Sequence, residues 1–322
     1  MKATAVAHPI QGLIKYHGLK DPKRRIPFHD SISVCIDALT TTTTVETEES
    51  STKDLVEING RKPIRTDFDR METVLNPLRK MAGFTGHFKV TSKNSITTGK
   101  GLGFSASAFA ALGKAASSAL SLKIDPISLS ELVRLGAGSS TRSLAGGFAV
   151  WYANRKGKSY AERIPARKAE ANLSMVIIPI PSTAKTDEAH LEVLSSPLFQ
   201  ARLKHVNEMI DQMKEAVKTG DIPMVGRLAE EDTLNLHAST MTGKTRMVLW
   251  EPETLRIMKE VQKMRSEGIP AWYSMDTGPS VFINTLRDQV EEVAQRIRNL
   301  GLSPILVSKV GGEPFLINDH LF

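Results

Sequence analysis

Cysteine is almost missing: Cys35 is the only one in 322 residues. That excludes an internal disulfide and a cysteine-rich metal site. Within Ile32-Ser33-Val34-Cys35-Ile36 the residue reads as a buried strand position rather than a nucleophile. Aromatic residues are scarce too, at 6% of the chain. A base-stacking surface needs exposed aromatics among its basic residues. The formal net charge of +7, carried by scattered Lys and Arg, therefore points to a small anionic substrate and away from nucleic acid. No apolar run approaches the roughly 18 residues of a membrane span. The N-terminal segment reaches Gln11 and Lys15 before any long apolar stretch, unlike a secretory signal. No membrane partner and a cytoplasmic location are expected. There is no tandem repeat, and low complexity is confined to the threonine run 40–44.

What the chain does contain is a glycine-rich loop running straight into a small-residue helix, Thr97 to Ala111. Gly99, Gly101 and Gly103 permit backbone conformations closed to other residues and a close approach to a ligand. The helix that follows turns its unpaired N–H groups toward the loop, an arrangement that favours an anion such as phosphate. Lys100 adds a full charge, and Ser105 and Ser107 add hydroxyls. The spacing is neither the Walker pattern nor the dinucleotide fingerprint. A second stretch, Gly136 to Gly147, surrounds Arg142 with hydroxyls and backbone N–H groups, a composition suited to holding an oxyanion.

Strands are expected at 3–10, 31–48, 86–92, 148–152, 173–180, 271–276, 280–284 and 303–308. Helices are expected at 67–82, bent or ended by Pro77, after Ser105, from Ser128 or Ser130 to Leu135, and at 187–194, 197–219, 222–240, 252–267 and 288–300. His190, His205 and His237 lack metal-ligand spacing. The mixture without strict alternation predicts an α+β fold, with lobes at 1–180 and 181–322.

Four pieces in this order resemble the mevalonate diphosphate decarboxylase family of the GHMP kinase superfamily. They are Ile14-Lys15-Tyr16-His17-Gly18, Gly101-Leu102-Gly103-Phe104-Ser105-Ala106, Gly138 to Gly147, and Met275-Asp276-Thr277-Gly278-Pro279. The segment Asp232 to His237 also fits, so the likeness spans nearly the whole chain. It implies a two-lobed GHMP-kinase-like fold with the active site in the cleft, a homodimer, and decarboxylation of a phosphorylated mevalonate. It further implies that Asp276 and Lys15 form a pair and that Arg142 holds the substrate carboxylate. Tyr16 and Ser139 are implied contacts of the 5-phosphate, Lys185 a further substrate contact, and Asp30 and Ser31 part of a substrate-facing loop; His17 replaces the family's Trp, and either phosphate binding or packing is open to it. Ser105 is expected to donate to the 3-oxygen or its phosphate.

Departures from the family pattern sharpen the expectation. Phe104 stands where the family has a phosphate-binding Ser, and Lys100 where it has Ala. Leu19 and Ala137 replace a Lys and a Ser that contact the diphosphate. The last two changes remove donors from the 5-end and suggest a 5-monophosphate. The first two damage the nucleotide site while adding a cation, here assigned to the 3-phosphate. Together they resemble the family's ATP-independent branch in acid-loving archaea, and predict conversion of mevalonate 3,5-bisphosphate to isopentenyl phosphate, CO2 and phosphate without cofactor or metal. The alternative is an ATP- and Mg2+-dependent decarboxylase of mevalonate 5-phosphate or 5-diphosphate. A mevalonate 3-kinase and a non-catalytic sensor rank below both.

Overall fold

The computed structural model describes residues 1–97, 101–182 and 186–322. Lys100 and Lys185 fall outside the described residues.

Three main sheets organise the described chain. A five-stranded sheet runs in the order Phe315–Ile317, Lys2–Ala7, Thr41–Glu48, His87–Asn94, Leu55–Ile58, with only the last pair parallel. The threonine run lies in its central strand, where β-branched side chains fit a pleated surface. Buried hydroxyls need partners, and these have them: Thr41 meets Ser107 at 2.7 Å, Thr43 meets Ser92 at 2.9 Å and Thr44 meets Thr4 at 2.7 Å. Helices Arg65–Met81, Phe104–Ala119 and Pro126–Gly136 cover this sheet through Met71, Leu75, Phe109, Leu112 and Val133.

A second sheet, in the order Ala161–Arg163, Phe148–Trp151, Ser31–Cys35, Ile10–Ile14, faces a third, Ala271–Ser274, Val281–Leu286, Leu173–Ile178, Leu306–Ser308. The strand Leu173–Ile178 has period-two alternation. Met175 and Ile177 join the largest core with Ile14, Phe148 and the helices Phe199–Thr219 and Ile222–Met241. Val176 and Ile178 point the other way, onto helices Pro252–Ser266 and Val290–Arg298. Each of these buried side chains contributes about 1.5–3 kcal/mol. Strand pairing places Leu173–Ile178 with the C-terminal strands and Phe315–Ile317 with the N-terminal ones, so sheets join residues from both sides of position 180/181.

The α+β expectation holds, with local corrections. The strand read at 3–10 breaks at His8-Pro9 into two strands of different sheets, and 31–48 breaks at Ile36–Thr40 for the same purpose. Pro77 does not end its helix, which runs on to Met81 because Leu75 and Leu78 on either side are both buried in the core. The helix after Asp125 is capped by Asp125 itself, whose carboxylate accepts the Ser128 N–H at 3.0 Å, with Pro126 in the first turn. Gly136–Gly147, to which the sequence assigned no element, contains a short helix Ser140–Ala145. One and a half turns are too few to leave a periodic trace. No helix among the described residues is long and apolar enough to cross a membrane.

Candidate active site

Lys15 follows the strand Ile10–Ile14, whose pairing with Ser31–Cys35 slips between Gly12 and Ile14. A bulge of this kind re-aims the side chains beside it. The Lys15 ammonium is buried against the helix Ile222–Met241. It donates to Thr233 Oγ1 at 2.9 Å and lies 3.4 Å from Asp232 Oδ2. Asp232 also accepts the Lys15 backbone N–H at 2.9 Å and pairs through Oδ1 with Arg202 Nη2 at 3.1 Å. Arg202 in turn donates to the Lys15 carbonyl at 2.8 Å and to Asn235 Oδ1 at 2.7 Å. One buried carboxylate thus serves two buried cations. Burial lowers the Lys15 pKa, with Asp232 opposing the shift. Burial works to raise that of Asp232, but Arg202 and Lys15 hold it below the ordinary carboxylate value.

Asp276 sits in the loop between Ala271–Ser274 and Val281–Leu286. Its carboxylate accepts the Gly12 N–H, with oxygens at 3.1 and 3.4 Å. The expected Lys15–Asp276 pair is corrected here. The ion pair of Lys15 is with Asp232, and Lys15 reaches Asp276 as a through-space charge. Burial pushes the Asp276 pKa up to about 6, while Lys15, Arg142 and the Gly12 N–H partly offset it. A Cβ at Gly12 would stand 2.7 Å from Asp276 Oδ1 and 2.7 Å from Lys15 Cγ. Gly12→Ala is therefore expected to displace the acid and cut kcat about 100-fold, the usual cost of a small misplacement at a reacting centre. Steady-state kinetics beside a thermal melt would separate this from unfolding.

Two further glycines bring the phosphate-type loop onto this centre. Gly101 (φ 79°) lies where a Cβ would come 3.1 Å from Gly278 Cα, and Gly103 (φ 74°) where it would come 2.4 Å from the Ile10 carbonyl. Only glycine satisfies both the left-handed backbone and the contact. The helix Phe104–Ala119 therefore starts against the Asp276 loop. Ser105, in its first turn, is exposed and has no protein partner among the described residues. Phe104 packs against the main core, and Ser107 is tied to Thr41.

Arg142 projects from the short helix Ser140–Ala145 into a box of aromatic rings. Its guanidinium lies 5.4 Å from the Tyr16 centroid and 5.6 Å from that of Trp151, and Nη1 donates to Ser31 Oγ. Ser31 and Trp151 are cross-strand neighbours, which explains why both reach it. The side chain is 2% exposed, Nε has no partner, and no carboxylate pairs with it among the described residues. Burial lowers its pKa to about 10, so it remains a cation at neutral pH.

Beside it, Tyr16 stacks on His190 at 4.8 Å and meets Trp151 edge-on at 4.9 Å. A Cβ at Gly138 would lie 3.3 Å from the Tyr16 hydroxyl, which places the half-buried Ser139 next in line. Arg70 Nε donates to the Gly136 carbonyl at 2.9 Å, and Arg25 pairs with Asp187 at 3.4 Å. The Tyr16 phenol experiences the charges of Arg142, Arg25, Asp187 and Arg70 together.

Of the two readings of His17, the structure favours packing over a phosphate contact. His17 is fully buried, its Nε2 lies 2.9 Å from the Ala189 carbonyl, and burial drives its pKa well below the ordinary value. A neutral ring engaged with the helix Thr186–Glu192 supplies packing, not a phosphate contact. Leu19 pairs with Pro27 in a small hairpin and Ala137 is buried in the core, so neither offers a donor. Sequence reasoning missed Gly12, Arg70, Arg202, Trp151 and the role of Asp232. For Asp232 a signal existed: an acid on the buried face of an otherwise amphipathic helix needs a buried cation.

Together the layers and the cleft-lining loops define a GHMP-kinase-like α+β enzyme fold. Residues 7–161 match the diphosphomevalonate decarboxylase-like N-terminal domain, and residues 181–307 match the mevalonate 5-diphosphate decarboxylase C-terminal domain. The phosphomevalonate decarboxylase of Haloferax volcanii is 38% identical over 320 residues, 99% of this chain and 98% of that protein. The solved mevalonate diphosphate decarboxylase of Enterococcus faecalis is 32% identical, with a TM-score of 0.91 over 98% of this chain and 99% of its own. That of Staphylococcus aureus is 29% identical, with a TM-score of 0.92 over 98% of each chain. The chain belongs to the diphosphomevalonate decarboxylase family, and it is a carbon–carbon lyase.

Proposed function

We propose that the protein decarboxylates mevalonate 3,5-bisphosphate to isopentenyl phosphate, releasing CO2 and inorganic phosphate without ATP. The observation that carries the decarboxylase part of this reading is Arg142: a buried, charged guanidinium with no carboxylate paired to it among the described residues, within electrostatic reach of Asp276. Such a cation is costly to bury unless a ligand anion completes it. A substrate carboxylate meets that need and is thereby oriented.

The C3–O bond then breaks and the phosphate leaves with the electron pair. Positive charge grows at C3, where an ionised Asp276 stabilises it. The bond between the carboxylate carbon and C2 supplies the two electrons of the new double bond, and CO2 departs. Ser105, exposed at the helix start, donates to the leaving phosphate. Tyr16, Ser139 and Arg70 hold the 5-phosphate, and Lys100 and Lys185 keep their proposed roles at the 3-phosphate and as a substrate contact. The homodimer and the cytoplasmic location remain part of this reading.

The ATP-independent part of this reading draws its support from two residues at the helix start. The helix start that would cradle a nucleotide's phosphates has a core-packed ring at Phe104 and a single free hydroxyl at Ser105. No step is therefore routed through ATP. A second reading has its own support. The Haloferax relative is named a phosphomevalonate decarboxylase, and a solved E. faecalis structure is titled for an ATP binding mechanism. It makes the protein an ATP-dependent decarboxylase of mevalonate 5-phosphate or 5-diphosphate.

The deciding assay supplies mevalonate 3,5-bisphosphate with and without ATP and Mg2+, beside mevalonate 5-phosphate and 5-diphosphate with ATP, and follows CO2 and phosphate. Turnover of the bisphosphate alone is expected. Turnover only with ATP, with the bisphosphate inert, would establish the second reading instead.

A further inference from the structure

The strap Leu19 to Pro27 carries an arginine that the proposed chemistry does not use. Arg25 has a left-handed backbone (φ 51°), an uncommon conformation for a side-chain-bearing residue. Its guanidinium crosses to the helix Thr186–Glu192 and pairs with Asp187 at 3.4 Å. That helix is fixed to the site one turn further on. His190 stacks on Tyr16, and its Nδ1 lies 3.3 Å from the Gly18 backbone nitrogen, which donates to it. The Arg25–Asp187 pair is thereby held beside the Tyr16 phenol. Arg70 is held on the Gly136 carbonyl nearby, and it experiences both members of the pair.

The charge count at this corner is the informative quantity. Besides Arg142, which is assigned to the carboxylate, Arg25 and Arg70 bring two positive charges among the described residues and Asp187 removes one, leaving a net of one. A phosphate monoester carries close to two negative charges at neutral pH, and a diphosphate monoester close to three. Arg25 is mostly covered while Asp187 is exposed, so the carboxylate stands at the outer rim. A second, terminal phosphate would extend toward solvent from the first and meet that carboxylate before it met a cation.

We propose that Asp187 is the residue that sets the phosphate length accepted at the 5-end: paired with Arg25 beside Tyr16, it lowers the positive charge available there and repels a second, terminal phosphate. Selectivity of this kind comes from a repulsive element as much as from attractive ones. The inference rests on the 5-monophosphate part of the proposed function and is independent of whether ATP is used.

Calorimetric binding of mevalonate 5-phosphate and mevalonate 5-diphosphate tests it without turnover. The wild type is expected to bind the monophosphate more tightly. Asp187→Asn is expected to shift the ratio of the two dissociation constants toward the diphosphate by about tenfold, a modest change because the carboxylate is solvent-exposed. The shift should shrink as salt is raised. Arg25→Gln leaves Asp187 unopposed. It should weaken both ligands, the diphosphate more, which a general loosening of the strap would not do. A wild type that prefers the diphosphate would overturn the monophosphate reading and this inference with it. A wild type that prefers the monophosphate, with an unchanged ratio in Asp187→Asn, would overturn the inference alone.

Discussion

Asp276→Asn is expected to lower kcat about 1000-fold, within the range for loss of one preorganised electrostatic group, and at the same time to make the protein more stable at neutral pH. Both effects have one cause. Burial raises the Asp276 pKa to about 6 from an ordinary 3.8, so the charge that stabilises C3 is one the folded protein holds at a cost. The sign follows from proton linkage. Between pH 3.8 and about 6 the folded state binds the proton that the unfolded state has released, so stability falls as pH rises through this window. Asparagine presents the neutral form at every pH and can still accept the Gly12 N–H. The gain is about 2–3 kcal/mol above pH 6 and none in acid, where Asp276 is already protonated. Catalysis has the opposite slope: kcat/KM of the wild type should rise through an apparent pKa near 6, because only the carboxylate counters a cation at C3. Thermal melts across pH 4–8 and a pH–rate profile check both limbs. A variant that lost activity and stability together would refute the electrostatic account in favour of a structural role.

Residues with unusual chemistry for their surroundings were legible in the sequence, and the identity of their partners was not. Arg142 stood out because a lone arginine among hydroxyls and glycines has few uses, and the fold encloses it without a counter-ion. Gly101 and Gly103 were legible because glycine at a left-handed position leaves a mark in the sequence. The pairing of Lys15 was misread because a sequence shows that a lysine and an aspartate exist, not which of two carboxylates lies nearer. Asp232 takes it, from a helix more than 200 positions further along the chain. His17 shows the same limit: a histidine in a glycine-ended loop resembles a phosphate ligand until the Ala189 carbonyl is found against its ring. Element boundaries failed where strands change sheet at Pro9 and at Ile36–Thr40, although Pro9 and Asp37-Ala38 interrupt the β-favouring residues at both breaks. The short helix around Arg142 left no trace because six residues are too few to show a period, and its side chains are held by tertiary contacts such as Ser140 Oγ to the Val133 carbonyl at 2.7 Å.

Asp232→Ala should produce the largest loss of stability of any single change in this site. The alanine would leave Lys15 and Arg202 facing each other in the core, with 4% and 1% of their side chains exposed and no remaining carboxylate contact. Removing one partner of a buried ion pair costs about 3–5 kcal/mol, because the desolvated charge left behind has nothing to oppose it. Here two charges are left, and they repel. Chemical unfolding measures the loss, and a double-mutant cycle identifies its source: adding Arg202→Met to Asp232→Ala should recover part of it, whereas two independent packing defects would simply add. The pH dependence gives a further check. Arg202 and Lys15 hold the Asp232 pKa below 3.8, so its stabilisation is complete above that value and is lost as pH falls below it. The wild type should therefore show an acid limb that Asp232→Ala lacks, with the two stabilities converging at low pH. Activity should fall in the variant even at temperatures where it stays folded. Lys15 would be free to leave Thr233, and the positive field that keeps Asp276 ionised would no longer be fixed in place.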